Sequence, residues 1–557
     1  MFREKEGTAV EANCFSDKVV YQIYPKSFQD SNTDGIGDLP GIMSRLGYLK
    51  TLGVDYLLLT PFFQSPQRND GYDVADYRSV DTVFGTMEEL EVLIHEAGEK
   101  GIGIMLDMVF NHTSTAHEWF QKALHGDEKY MDYYIFRDGE DTQPPTNWSS
   151  KFGGPAWEYV EDMNKWYLHL YDVTQADLNW DNPKVREELK DILCFWKEKG
   201  IRGFRFADIN LISKPEIYTD DDLGDGKRLY TDGPHAHEYL KELVKDTGIE
   251  NMITVGEMSS ATLAHCISYS NPENKELSMC MYELIPPDSK GVKRLLTDWQ
   301  LGMQAGKGWS ALFWCNHDQP RIVSRLGNTG EYRETSAKML AAVIHMQRGT
   351  PFIFQGEELG MMNADFDEID QYRDEDSLNY YKTMMEKGNS HDEAMDTLAA
   401  YSRDNSRTPM QWNDEKYAGF SEMEPWISIP ANIKSIHASA QWDTEDSVFS
   451  FYKDLISLRK RKEVIAKGHI AFLFQENDDV LVFRRYWDQE DILVFNNLCG
   501  NIIVLEPAAY ISEYVKIMGN YHTIQTEQEC IHLRPYETII LEKKISEMKS
   551  LNVSDLD

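Results

Sequence analysis

A (β/α)8 TIM barrel, with a domain inserted after its third strand and a small antiparallel β-domain at its C-terminal end, is the fold class this sequence predicts. Three observations predict it. Eight short apolar runs rich in β-formers recur as far as Gln355, and amphipathic stretches of helical period separate most of them. From about Ile470 the helical period gives way to short alternating runs.

The strand candidates are 19–24, 56–60, 103–108, 203–206, 253–257, 279–282, 311–316 and 352–355. Helical period is clearest over 86–100, 185–199 and 235–246. Between the third and fourth strands lies a long aromatic insert holding Pro144-Pro145-Thr146-Asn147-Trp148 and Phe152-Gly153-Gly154-Pro155. An insert at the C-terminal end of a barrel strand stands where such barrels build their sites. The last segment holds the runs 480–485, 492–496 and 538–541. These readings divide the chain into barrel (14–111), inserted domain (112–180), barrel (181–470) and C-terminal β-domain (471–545), with a polar tail beyond.

Composition narrows the function. With 56 basic and 93 acidic residues in 557, the net charge is −37. Such a surface repels nucleic acid and anionic membranes, so neither is an expected partner. The seven cysteines are odd in number and show no metal-ligand spacing, which predicts reduced, mostly buried thiols and a cytoplasmic location. The charged start, Met1-Phe2-Arg3-Glu4-Lys5-Glu6, does not read as a signal peptide, and no apolar run is long enough to span a bilayer.

Four strand ends carry polar residues straight after an apolar run: Asp107-Met108-Val109-Phe110-Asn111-His112, Arg205-Phe206-Ala207-Asp208, Thr254-Val255-Gly256-Glu257 and Asn316-His317-Asp318-Gln319. One strand-ending acid is an ordinary helix cap or loop charge. Four in one barrel suggest carboxylate chemistry: retaining glycoside hydrolysis needs two carboxyl groups about 5–5.5 Å apart, one to attack and one to protonate the leaving oxygen.

These four segments, with Gln175-Ala176-Asp177-Leu178-Asn179 as a fifth, resemble the conserved regions of the α-amylase superfamily, glycoside hydrolase family 13. Val20-Tyr21-Gln22-Ile23-Tyr24-Pro25-Lys26-Ser27-Phe28 and Ser402-Arg403-Asp404-Asn405-Ser406-Arg407-Thr408-Pro409-Met410-Gln411-Trp412 resemble its oligo-1,6-glucosidase branch. Within that branch, Tyr167-Leu168-His169-Leu170-Tyr171-Asp172-Val173-Thr174, Gly256-Glu257-Met258-Ser259-Ser260 and Trp309-Ser310-Ala311-Leu312-Phe313-Trp314-Cys315 resemble the trehalose-6-phosphate hydrolases.

The resemblance implies a small α-glucoside substrate and no organic cofactor. It implies that Glu257 is the general acid/base and that Asp318 holds the 2- and 3-hydroxyls of the reacting sugar. His112 and His317 would donate to the same sugar and Tyr72 would stack beneath it. Arg205 would orient the nucleophile, and Asn69, Asp107 and Arg407 would complete the sugar site.

Three departures accompany it. The nucleophile position holds Ala207, with Asp208 one residue later and both flanks in register. Side chains alternate along a strand, so Asp208 is expected to aim away from where Ala207 aims, toward the leaving group. In Arg68-Asn69-Asp70-Gly71-Tyr72, Asn69 stands where the family places an aspartate on the outer hydroxyls, turning a charge-assisted hydrogen bond into a neutral one. Between 283 and 295 the chain is shorter than trehalose-6-phosphate hydrolases, on the rim where the second sugar sits.

Asp30-Ser31-Asn32-Thr33-Asp34-Gly35-Ile36-Gly37-Asp38 spaces oxygens at alternate positions around a glycine turn. It resembles a structural Ca2+ loop whose ligands would be Asp30, Asn32, Asp34, Asp38 and the Ile36 carbonyl. The same residues also suit a turn capped by its own Asx side chains.

Three readings follow: an α-glucosidase of phosphorylated or unphosphorylated substrates impaired at residue 207, a non-catalytic sugar-binding or partner protein on that scaffold, or an inverting enzyme using water and Asp208. The first ranks highest because Glu257, Asp318, His112 and His317 are all in place.

Overall fold

The computed structural model describes residues 13–139, 143–282, 289–506, 509–528 and 530–544. Residues 283–288 of the shortened rim, residue 545 and the polar tail lie outside them. Eight parallel strands close into a barrel. They are β1 (Val20–Ile23), β2 (Tyr56–Leu59), β3 (Gly103–Met108), β4 (Gly203–Phe206), β5 (Ile253–Met258), β6 (Met279–Tyr282), β7 (Ser310–Leu312) and β8 (Thr350–Phe354). Every strand foreseen is present. The seventh is shorter than the 311–316 expected, since its ladder stops at Leu312.

Alternation along the strands builds the interior. Val20, Leu58, Met105, Ile253, Val255, Met279, Met281, Ala311 and Phe352 form one apolar cluster, separate from the larger core outside the ring. β4 gives it no side chain. A Cβ on Gly203 would stand 2.3 Å from Ile253 Cγ2 and 2.7 Å from Met105 Cγ, so its neighbours already fill that place. Polar residues continue the same inward rows one step higher: Met105 leads to Asp107, Gly203 to Arg205 and Ala207, Val255 to Glu257. The barrel therefore offers a dry floor and a polar mouth at the C-terminal ends of its strands.

The outer helices carry their own stop signals. Helix α1 (Met87–Glu99) opens on a capping box between Thr86 and Glu89. Helix α2 (Pro183–Glu198) opens on Asn182 with proline in its first turn. Helix α3 (Ala236–Thr247) ends on Gly248 at φ 62°, a left-handed cap suited to glycine.

The insert leaves the barrel through a two-stranded neck in which His112–Ser114 pairs with Gln175–Asp177. Beyond the neck, Phe136–Asp138, Lys165–Leu168 and Trp157–Val160 form a three-stranded sheet over buried Trp148, Trp157 and Trp166. The C-terminal region is a five-stranded antiparallel sheet beside a three-stranded one. Its strand Val480–Trp487 carries Arg485, fully buried, which donates to the carbonyls of Met346 (2.7 Å), Ile465 (2.9 Å) and Gly468 (2.8 Å) and meets no carboxylate among the described residues. Burial, with Arg459 and Arg348 nearby, holds its pKa well below the usual arginine value.

All seven cysteines are unpaired. Cys266, Cys280 and Cys315 are buried, Cys194, Cys499 and Cys530 are half-buried and Cys14 is exposed, so fewer are buried than composition suggested. Among the described residues no helix is long and apolar enough to cross a membrane. The tight floor yields a prediction: Gly203→Ala should cost about 1–3 kcal/mol through overpacking, seen as a lower urea midpoint.

Candidate active site

A cavity of about 370 Å³ opens at the C-terminal ends of the strands, between the barrel and the insert. Asn69, Tyr72, His112, Arg205, Ala207, Asp208, Glu257, Asp318 and Arg407 all line it. Asp107 and His317 stand one contact behind this wall.

Arg205 is the centre of the cluster. The β3–β4 register sets it beside Asp107. Its guanidinium, fully buried, is ion-paired with Asp107 and lies 2.5 Å from Glu257 Oε1. Tyr72 donates its hydroxyl to Asp107 Oδ2 at 2.9 Å and contacts His317 Nε2 at 2.8 Å. The His317 ring is stacked between Tyr24 (5.8 Å, 8°) and Tyr72 (5.3 Å, 6°), with Nε2 3.0 Å from Asp318 Oδ2. Arg407 closes the far side: it reaches Asp318 Oδ1 at 2.9 Å and Asp70 Oδ2 at 2.6 Å, and donates to the His317 carbonyl.

Two of the three cavity carboxyl groups, Glu257 and Asp318, are driven apart. Burial pushes Glu257 up to about 8; Arg205 opposes the rise, and Asp208, Asp107 and Asp318 add to it. Against its own burial, Asp318 is held well below the usual range by His317, Arg407 and Arg403. One carboxyl group thus keeps its proton at neutral pH while its neighbour is ionised, the pattern that separates an acid from a charge-bearing partner. Burial lowers the pKa of His112, favouring neutral imidazole, and its Nε2 stands 3.0 Å from the Tyr72 carbonyl. Below His112, Lys214 and Asp177 form a buried ion pair of 2.8 Å, and Lys214 also donates to Asn111.

Around residue 207 the chain departs from strand geometry. β4 ends at Phe206, and Asp208 sits at φ 44° in the left-handed region. Strand alternation stops there, and both Ala207 and Asp208 line the cavity. After burial, the charge of Asp208 is what raises the pKa of neighbouring Tyr171. Two buried atoms beside Ala207 have no hydrogen-bond partner, Arg205 Nε and Asp107 Oδ1.

Sequence reasoning missed Asp70, which takes up Arg407 and, at 3.1 Å, Lys26. The acid absent at 69 thus stands one position later, while Asn69 donates to Gln175 Oε1 at 3.2 Å. Arg403 and Gln175, also on the cavity wall, stood inside quoted motifs without a role.

The 30–38 loop folds onto its own amides. Asp30 accepts from the amides of Asn32, Thr33 and Gly35 and from the Ser421 hydroxyl; Asp38 caps the helix Leu39–Ser44. Asn32 and Asp34 stay exposed, each still with acceptor capacity to spare. Among the described residues no three or more His, Cys, Asp or Glu side chains gather as a metal site. A ligand set here would rest on Asn and carbonyl oxygens beside the carboxylates.

Residues 22–468 match the alpha-amylase family, described as the alpha amylase catalytic domain. The chain belongs to that family. Among family relatives, trehalose-6-phosphate hydrolase of Bacillus subtilis (strain 168) is 46% identical over 542 residues, covering 94% of this chain and 97% of the relative. Oligo-1,6-glucosidase of Bacillus cereus is 42% identical over 559 residues, covering 96% and 100%. The crystal structure of Bacillus licheniformis trehalose-6-phosphate hydrolase superposes with a TM-score of 0.92 at 46% identity, covering 95% of this chain and 100% of that one. By family this is a glycosidase.

The perturbed acid gives a direct prediction. Proton release measured as the difference between this chain and Glu257→Gln should show a group titrating near pH 8. A midpoint near the ordinary glutamate value would mean that the Arg205 ion pair outweighs burial.

Proposed function

We propose that this protein binds the terminal glucosyl unit of a small α-glucoside, with trehalose 6-phosphate as the preferred class and glucose and glucose 6-phosphate as the products. The route is a retaining double displacement that Ala207 leaves strongly impaired. The observation that carries the reading is a glycosidase site complete except for one carboxylate. Glu257 holds a proton, Asp318 is ionised between His317 and Arg407, and the buried Arg205 Nε beside Ala207 has no partner.

Each role follows from that geometry. Glu257, protonated at neutral pH, gives its proton to the glycosidic oxygen as the bond to the anomeric carbon breaks, and as a carboxylate it then draws a proton from water. Asp318 and Arg407 face the hydroxyls of the terminal sugar, and their charge strengthens those hydrogen bonds. Arg205 would hold a carboxylate at 207 ionised and aimed at the anomeric carbon. A methyl group cannot attack, so turnover falls by orders of magnitude.

The phosphorylated substrate class draws support from the trehalose-6-phosphate hydrolases among the relatives, and oligo-1,6-glucosidases at similar identity keep unphosphorylated α-glucosides as the alternative. Ala207 itself favours a second reading, a sugar-binding protein on this scaffold. Asp208 on the cavity wall is the candidate base for an inverting route. Unpaired thiols support a reducing, cytoplasmic setting.

Hydrolysis of an aryl α-glucoside and of trehalose 6-phosphate should rise by roughly three or more orders of magnitude in Ala207→Asp. Added azide or formate should accelerate the unmodified chain. Sugar binding with no rescue by either route would make the chain a binding protein. Ready turnover by the unmodified chain with an inverted product anomer would assign the base to Asp208.

We also propose that the 30–38 loop holds a structural Ca2+. Its donors are all oxygen, as a hard cation requires, and the ion would brace the loop without entering the reaction. Chelation should lower the melting temperature by a few degrees and added Ca2+ restore it. An unchanged melt would leave the loop as a self-capped turn.

A further inference from the structure

The other cations around the cavity are neutralised. Arg205 is paired with Asp107, Arg407 with Asp70 and Asp318, Arg403 with Asp374 and Asp376, and Lys214 with Asp177. Lys151 meets no carboxylate among the described residues. Its ammonium contacts the Ser259 hydroxyl and lies 5.3 Å from the centre of the Tyr171 ring.

Both ends of that contact are fixed from behind. Lys151 sits on a tight turn of the insert: its amide donates to Leu170 O at 2.9 Å, and Ser150 donates its hydroxyl to Tyr171 O at 2.6 Å. Ser259 is clamped by buried Asn210, which donates to its carbonyl and accepts from its amide, each at 2.9 Å. Ser260 follows at φ 56°, a conformation that a non-glycine residue adopts at a cost.

Position gives the pair a meaning. Glu257 protonates the leaving oxygen, and Asp318 and Arg407 hold the sugar on the other side. The departing group therefore lies toward Ser259, two residues beyond Glu257, and Lys151. An ammonium carries three donors and a full charge, and a hydroxyl adds a fourth donor, a set suited to a phosphate monoester. A protein of net charge −37 needs such a local cation if a dianion is to enter. The proton on Glu257 removes one competing charge, while Asp208 on the same wall opposes.

We infer that Lys151 and Ser259 receive the phosphate of a phosphorylated leaving hexose and so decide between phosphorylated and plain α-glucosides at this site. The inference rests on the α-glucoside reading above. It lies in the insert and at the end of β5.

The test is calorimetric titration of the full chain, whose alanine at 207 preserves the ligand. Trehalose 6-phosphate, trehalose and inorganic phosphate are titrated into the unmodified chain, Lys151→Gln, Lys151→Arg and Ser259→Ala, at low and high salt. Trehalose 6-phosphate should bind at least tenfold more tightly than trehalose at low salt, and the ratio should shrink with salt. Lys151→Gln should bring it close to one, Lys151→Arg should keep most of it, and Ser259→Ala should lower it in part. If Lys151→Gln weakens both sugars alike, the lysine is a strap between domains and the inference falls while the α-glucoside reading stands. An unchanged ratio in Lys151→Gln also overturns it. If neither sugar binds the unmodified chain, the α-glucoside reading itself falls and carries this inference with it.

Discussion

A single buried guanidinium organises the mouth of this barrel. Arg205 stands above an apolar floor, where an unpaired charge would cost several kcal/mol. It is tolerable because the β3–β4 register brings Asp107 alongside as its counter-ion, while Glu257 of β5 adds an acceptor oxygen at 2.5 Å. The dependence runs both ways. Without the cation, two carboxyl groups would face each other in a poorly solvated pocket, and Tyr72 would lose the ionised acceptor that fixes its ring against His317. The arginine, its counter-ion and the acid come from three adjacent strands, so strand order and register are themselves conditions for the site.

The barrel was legible because its strands are short apolar runs buried on both faces, with caps and glycines punctuating the helices between them. Its seventh strand was overextended because Phe313, Trp314 and Cys315 are apolar for another reason. Trp314 turns outward to donate to the Leu340 carbonyl, leaving the ladder. Strand Tyr514–Gly519 of the last sheet went unnamed because it is half exposed, and its run Tyr514-Val515-Lys516-Ile517-Met518-Gly519 shows no apolar–polar alternation.

At the site, residues that follow an apolar run were legible, since a polar side chain there has few other uses. Lys151 and Asp70 arrive from loops and Gln175 from the neck of the insert, and nothing in local spacing says which strand end they will meet. Asp208 shows a different limit. Alternation predicts a direction only while the strand lasts, and β4 stops two residues short of it. Positions 69 and 70 show a third: the exchange of acid and amide reads as a lost charge, whereas the charge has moved one residue along to share Arg407 and Lys26.

The seam between barrel and C-terminal sheet carries a consequence for how the chain is built. Arg485 crosses it as a cation whose partners are backbone carbonyls of the barrel side, and carbonyl dipoles stabilise a charge only while they stay aimed at it. Separating the two layers would strand that charge in an apolar surface and leave the carbonyl of Met346 without its donor. The sheet is therefore no detachable appendage. It supplies a donor to carbonyls of the region before it, so removing the sheet should cost the barrel stability as well.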